Sequence, residues 1–136
     1  MKNLVKIHKT NQKNLTYSVH LLKSGGYGFK LLNNVSLKTE QIAALNRIVQ
    51  RKLKEFSTHS KKPKSWTLLQ TNKTLTKLSL ESRMGKGKGP IYTEVVFLKK
   101  GSIIYQFQNL KLQQIKDLYR SIQTQIRGRL KLIIKK

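Results

Sequence analysis

The sequence predicts an α+β fold, a two-layer sandwich in which two helices pack on a mostly antiparallel sheet. Apolar side chains recur at helical spacing over residues 39–56 and 111–127, which indicates two amphipathic helices. Short β-branched or alternating runs lie before, between and after these segments. Packing two helices on one side of an antiparallel sheet is the simplest way to bury both apolar faces. A length of 136 residues fits one domain.

The predicted elements follow one another without a linker or an internal repeat. Residues 1–14 are polar and basic and are predicted to form an N-terminal arm, followed by a single domain over residues 15–136. The predicted strands are residues 15–22, 27–32, 66–70, 75–80, 91–98, 102–107 and 130–134. The turn Lys99-Lys100-Gly101 predicts that the strands on either side of it form a hairpin.

Charge is the strongest indication of function. The chain has 29 Lys and Arg against 5 Asp and Glu, a net charge of +24. Solubility alone needs a net charge of only about 2–8, and self-repulsion at this level destabilises a free protein. A polyanionic partner removes that cost, and nucleic acid is the commonest one. The basic surface therefore predicts nucleic-acid binding.

The first 39 residues contain no acid, and their cations are lysines, with Arg47 as the first arginine. Lys6, Lys9 and Lys13 are accordingly interpreted as RNA contacts of a basic arm. Targeting peptides are also poor in acids, but they are rich in arginine. A retained targeting segment is the alternative interpretation.

The sequence lacks the residue patterns that several classes of function require. The absence of cysteine excludes disulfides, cysteine metal sites and cysteine nucleophiles. His8, His20 and His59 have no metal-ligand spacing, and no acid is supported as a general acid or base by a neighbouring group. No apolar run approaches the roughly 20 residues that span a bilayer. We predict no catalytic residue, metal, cofactor, membrane or small-molecule substrate.

A loop rich in glycine and lysine is the strongest candidate site. Its residues are Arg83, Met84, Gly85, Lys86, Gly87, Lys88 and Gly89. Glycines weaken an ordered element, but they let the backbone approach a ligand with its N–H groups facing phosphate oxygens. In an extended loop Lys86 and Lys88 would lie on the same side. The alternative is a flexible hairpin tip with solvated lysines; a P-loop is excluded because its spacing is not met.

Other basic residues lie off the apolar faces or in basic connections, and are also predicted to contact RNA. They are Lys30, Arg47, Arg51, Lys61, Lys62 and Lys64. The strand aromatics Trp66, Tyr92, Phe97, Tyr105 and Phe107 are predicted to belong to the core, against the alternative of an open stacking face.

The glycine loop also resembles a known signature. The run Glu81-Ser82-Arg83-Met84-Gly85-Lys86-Gly87-Lys88-Gly89 is similar to that of the bacterial-type large-subunit ribosomal protein family numbered sixteen. Residues 27–32, the segment from Leu37 into the first helix, Trp66, and Gly101 to Tyr105 resemble the family in the same order. The resemblance covers residues 26–134.

This resemblance implies an α+β protein that binds large-subunit rRNA beside the aminoacyl-tRNA site, near the peptidyl transferase centre, and helps to position tRNA. It also implies neighbouring large-subunit proteins as partners. The family's dense basic start is represented here only by scattered lysines. This divergence, with 23 lysines, 6 arginines and 11 isoleucines, indicates an AT-rich organellar gene. Chloroplast members of the family usually keep the Arg-rich start, so the resemblance favours a mitochondrion, with a bacterium as the alternative. A transient RNA-binding translation or ribosome-maturation factor is the alternative function.

Overall fold

The computed structural model describes residues 5–6, 20–57, 61–85 and 87–135, and these contain seven strands and two helices. The elements are β1 (Tyr27–Leu31), β2 (Val35–Lys38), α1 (Thr39–Phe56), β3 (Lys64–Thr67), β4 (Lys73–Thr76), β5 (Ile91–Leu98), β6 (Ile103–Gln108), α2 (Leu112–Gln125) and β7 (Leu130–Ile134). All strand pairs are antiparallel. The predicted α+β sandwich is confirmed.

The strands form two sheets. The larger sheet has the order β3-β6-β1-β7 and the smaller one has the order β2-β5-β4. The predicted hairpin of β5 with β6 is therefore wrong, because these strands belong to different sheets. Gly101 takes a left-handed φ of 89° and donates its N–H to the Leu31 carbonyl at 2.7 Å. This contact directs the chain to β1, with which β6 pairs.

Both helices begin in the same way. The side chain of Gln41 accepts a hydrogen bond from the Lys38 N–H at 3.0 Å, and Gln114 accepts one from the Lys111 N–H at 2.9 Å. A glutamine at this third helical position satisfies a backbone donor that the helix leaves unpaired. Helix α2 ends at Gln125, before the predicted end, because Ile126 has extended backbone angles.

One apolar cluster joins both helices to both sheets. The buried helix residues are Ile42, Leu45, Val49, Ile115, Leu118 and Ile122. Fully burying each such side chain contributes about 1.5–3 kcal/mol. Phe29 lies at the centre, with its ring centroid 5.1 Å from that of Phe107 and 5.8 Å from that of Tyr119. The core predictions for Tyr105 and Phe107 are confirmed.

Tyr105 carries a polar group into this core. Its hydroxyl donates a hydrogen bond to the side-chain oxygen of Asn46 on α1 at 2.7 Å. Burial raises the pKa of Tyr105 to about 12, while a side-chain hydrogen bond with Thr67 acts in the opposite direction. The tyrosine is therefore neutral at physiological pH and links the larger sheet to α1.

Shorter elements differ from the prediction. Strand β2 was not predicted, and β3 and β4 occupy residues 64–67 and 73–76 in place of 66–70 and 75–80. Of the strand predicted over 15–22, only residues 20–22 are described, and they are not in a strand. The predicted arm lies outside the described residues except for Val5 and Lys6.

Candidate nucleic-acid interface

The glycine loop connects two neighbouring strands of the smaller sheet, β4 and β5. At its base the Lys77 N–H donates to the Pro90 carbonyl at 3.1 Å. Gly89 is buried there, and a Cβ added to it would lie 2.4 Å from the Lys77 carbonyl oxygen. The two arms of the loop therefore meet at a distance that only glycine permits at residue 89.

The tip of the loop uses glycine for a different reason. Gly85 and Gly87 have φ values of 93° and 85°, in the left-handed region. A Cβ at either residue would meet nothing within 4 Å, so backbone conformation rather than packing favours glycine. Side chains alternate in direction only where the backbone is extended, and left-handed residues interrupt this alternation. The prediction that Lys86 and Lys88 lie on the same side assumed an extended loop, and that assumption does not hold at Gly85 and Gly87. Lys86 itself lies outside the described residues.

The described side chains of the tip face solvent. Arg83, Met84 and Lys88 are exposed, Met84 to 97%. Turns with left-handed residues can direct successive N–H groups into a concave surface that binds anions. An exposed guanidinium can hold phosphate with two parallel hydrogen bonds. The loop thus combines backbone donors with cations.

A short N-terminal segment lies against this loop. The Lys6 ammonium donates to the Lys88 carbonyl at 3.2 Å, and the Thr74 hydroxyl on β4 donates to the Val5 carbonyl at 2.6 Å. The structure therefore brings one predicted arm residue, Lys6, to the glycine loop. Lys9 and Lys13 lie outside the described residues.

The other predicted cations are placed elsewhere. Arg47 and Arg51 are exposed one turn apart on α1, and Lys61, Lys62 and Lys64 are exposed before and at the start of the edge strand β3. Lys30 is half-buried on β1 and donates to the His20 carbonyl at 3.3 Å. These predicted cations therefore lie on α1, on β1 and in and just before β3.

The prediction that Tyr92 belongs to the core is wrong. Its side chain is 59% exposed, and the ammonium groups of Lys38 and Lys77 lie 5.9 and 5.4 Å from its ring centroid. The register of β4 against β5 shifts at this point, so that Leu75 pairs with Thr93 but Thr76 pairs with Ile91. Such a bulge redirects a side chain, and strand alternation in the sequence gives no sign of it.

Within the described parts of the chain, no group of three or more His, Asp or Glu side chains is placed to hold a metal ion. No helix there has the length and apolar character needed to cross a membrane.

Comparison with known proteins identifies a ribosomal family. The family model for ribosomal protein L16p/L10e matches residues 2–133. The large ribosomal subunit protein uL16m of Chondrus crispus is 39% identical over 99 residues, which cover 73% of this chain and 72% of the relative. The protein uL16 of Psychrobacter cryohalolentis is 32% identical over 105 residues, covering 77% and 72%. That of Stenotrophomonas maltophilia K279a is 29% identical over 115 residues, covering 85% and 80%.

Proposed function

We infer the role of this chain from one premise: it belongs to the ribosomal protein L16p/L10e family and is a structural protein of the large ribosomal subunit. We propose that it binds large-subunit rRNA near the aminoacyl-tRNA site and the peptidyl transferase centre, helps to position tRNA, and contacts neighbouring large-subunit proteins. Its contribution is structural and not catalytic.

The glycine loop is the observation that carries this proposal. Its base is fixed by the close contact of Gly89 with Lys77, while its tip presents Arg83, Met84 and Lys88 to solvent. A narrow basic tip on a fixed base suits a space lined by folded RNA, which proteins recognise largely by shape and phosphate contacts. Arg83 to Gly89 are the proposed contact residues, with Lys86 included from its place in the motif.

The remaining basic areas would hold rRNA around the domain. We propose phosphate contacts for Lys6, Lys9, Lys13, Lys30, Arg47, Arg51, Lys61, Lys62 and Lys64. Lysine and arginine displace counterions from RNA, and the released ions make binding favourable but sensitive to salt. Residues 1–14 are proposed to act as an arm and residues 15–136 as one rRNA-binding domain.

The mitochondrial ribosome is the proposed location, with an organellar gene as the source. The similarity to a protein designated uL16m supports it, as does the excess of lysine and isoleucine over arginine. The bacterial uL16 relatives support the second candidate, a bacterial cytoplasmic ribosome.

Sedimentation tests residence in the subunit. The tagged full chain should track with large subunits and whole ribosomes on a sucrose gradient after a high-salt wash of a mitochondrial lysate. Release into the light fractions with RNA binding retained would overturn a resident role and favour a transient translation or maturation factor.

A further inference from the structure

A second RNA contact is indicated on the smaller sheet, where two lysine side chains approach an exposed aromatic ring. Lys38 ends β2, Lys77 follows β4, and Tyr92 lies near the start of β5. Because β5 is antiparallel to both neighbours, β2 and β4 both run toward the end of the sheet at which β5 starts; Thr76 pairs with Ile91, and Lys38 pairs with Val95. We call Tyr92, Lys38 and Lys77 the platform.

The side chain of Tyr92 is exposed to solvent near the start of β5. The bulge between β4 and β5 leaves Tyr92 as the extra residue of β5, and the side chain points away from the core cluster to be 59% exposed. The two ammonium groups lie near the outer limit for contact with a ring, roughly 6 Å from the centroid. Both ammonium groups lie over the ring at this distance, and 59% of Tyr92 remains exposed.

The groove beside the ring is small and largely apolar. It has a volume of about 280 Å³ and is lined by Lys77, Leu78, Pro90, Ile91 and Tyr92 among others. Binding cavities for small molecules begin at roughly 300 Å³, so this groove suits a single flat ring. Leu78 is itself 44% exposed, which leaves apolar surface for such a ring to cover.

A second groove leads away from the platform along β2. Its volume is about 490 Å³, and its lining includes Lys38, Asn33, Asn34 and Arg127, with Glu40 as an acid. The two cations of this lining exceed its one acid. An RNA backbone that contacts Lys38 could therefore continue along this polar groove.

We propose that the platform binds an unpaired RNA nucleotide, with its base stacked on Tyr92 and its flanking phosphates held by Lys38 and Lys77. Aromatic rings that stack unpaired bases between cationic phosphate contacts are the usual means of binding single-stranded RNA. This inference rests on the proposed function and adds a contact separate from the tip of the glycine loop. It applies to a bulged or looped base, since a paired base does not present its face.

A short RNA carrying one 2-aminopurine tests the platform. The full chain should bind an unstructured eight-nucleotide RNA and quench the fluorescence of the analogue by stacking. Tyr92→Leu keeps an apolar side chain without an aromatic face, and should weaken binding roughly 5- to 150-fold and abolish the quenching. Tyr92→Phe should keep most of both signals. Thermal unfolding of each variant confirms that the exposed substitution leaves the fold intact.

The lysines have a matched control. Lys38→Ala and Lys77→Ala should each reduce the salt dependence of binding by about 0.7 slope units, the value for one phosphate of a single strand. Lys116→Ala removes the same charge from an exposed site on α2 and should leave the slope unchanged. An equal change in all three variants would overturn the assignment of phosphates to Lys38 and Lys77.

The outcomes separate this inference from the proposed function. Unchanged affinity and quenching in Tyr92→Leu would overturn the stacking contact. The stacking contact is also overturned if the unaltered chain tracks with the large subunit but does not bind the oligonucleotide. If Tyr92→Leu weakens attachment to the large subunit and leaves oligonucleotide binding intact, the platform contacts a protein and the RNA contact is overturned. Failure of the unaltered chain to track with the subunit would overturn the proposed function instead.

Discussion

The backbone carbonyl of Lys77 lies where a side chain at residue 89 would begin: a Cβ on Gly89 would stand 2.4 Å from that oxygen. The neighbouring carbonyl carbon of Lys77 and the nitrogen of Leu78 are also within 3 Å of this position. All three atoms belong to the backbone and cannot move aside as a flexible side chain does. The glycine motif therefore fixes the base of the loop as well as shaping its tip.

Gly89→Ala is accordingly expected to destabilise the fold. Forcing a methyl group into a filled site costs about 1–3 kcal/mol, and separating the loop arms also weakens the hydrogen bond of Lys77 to Pro90. Urea unfolding of the free protein measures the loss. Gly26→Ala is the matched control, because a Cβ there meets nothing within 4 Å and its φ is not left-handed. Equal effects in both variants would contradict the steric explanation.

Removing the loop lysines should affect RNA binding and not the fold. Lys86→Ala with Lys88→Ala is expected to weaken rRNA binding and to reduce its salt dependence by up to about one slope unit per lost phosphate contact. Filter binding to large-subunit rRNA over a salt series measures both changes.

The control for this pair is Lys116→Ala with Lys131→Ala, which removes equal charge from exposed positions on α2 and β7. A salt dependence that stays the same in the loop variant would show that these lysines do not meet rRNA phosphates.

Tyr105 should make stability depend on pH in the alkaline range. Its pKa is about 12 in the folded protein and about 10 in an unfolded chain. The folded state therefore holds the proton more tightly, and its advantage is complete below pH 10 and is lost as pH rises towards 12. The difference of two pKa units corresponds to about 2–3 kcal/mol.

Tyr105→Phe isolates this contribution, because the two proteins differ only in the hydroxyl of residue 105. Near pH 7 the free energy of unfolding of the variant should be about 1 kcal/mol lower, because the variant lacks the hydrogen bond to Asn46. Between pH 10 and 12 the gap between the two unfolding free energies should close or reverse. Parallel pH profiles would contradict a raised pKa.

The hydrogen bond from Thr74 to Val5 is expected to hold the N-terminal segment against β4 and to contribute to the free energy of unfolding. Thr74→Val keeps the shape of a buried side chain and removes its donor. We expect a loss of about 1 kcal/mol in the free energy of unfolding. In a chain lacking residues 1–6 the same substitution should cost little, since its partner is gone. Thr76→Val, on the same strand, is the control, and additive losses would show that the contact contributes nothing.

Regular elements with strong periodicity were predictable from sequence. The bounds of α1, β5 and β7 match the predictions, because long amphipathic or β-branched runs determine them locally. Pairing was less predictable: the turn before β6 looks like a hairpin turn, but the contact of Gly101 with Leu31 joins residues 70 positions apart. The four residues of β2 alternate between apolar and polar side chains, but a run of four is too short to identify a strand.

In the candidate sites, too, local features were predictable from sequence and features that depend on strand pairing were not. The glycine loop was found because its glycines and cations are adjacent in sequence. The platform was missed because Lys38, Lys77 and Tyr92 come from three segments and meet only through sheet pairing. The bulge that exposes Tyr92 depends on register, which no local pattern records.

The pairing of β7 with β1 has a consequence for synthesis of the chain on a ribosome. Tyr27 pairs with Ile134, and the Lys135 N–H donates to the Gly26 carbonyl at 2.8 Å. One side of β1 therefore has no partner until residues 130–134 have been translated. Folding that waits for such distant pairing is slow and leaves apolar strands exposed. The nascent chain is thus expected to complete its larger sheet only after β7 has been translated, when the cations that precede β7 are already available to RNA.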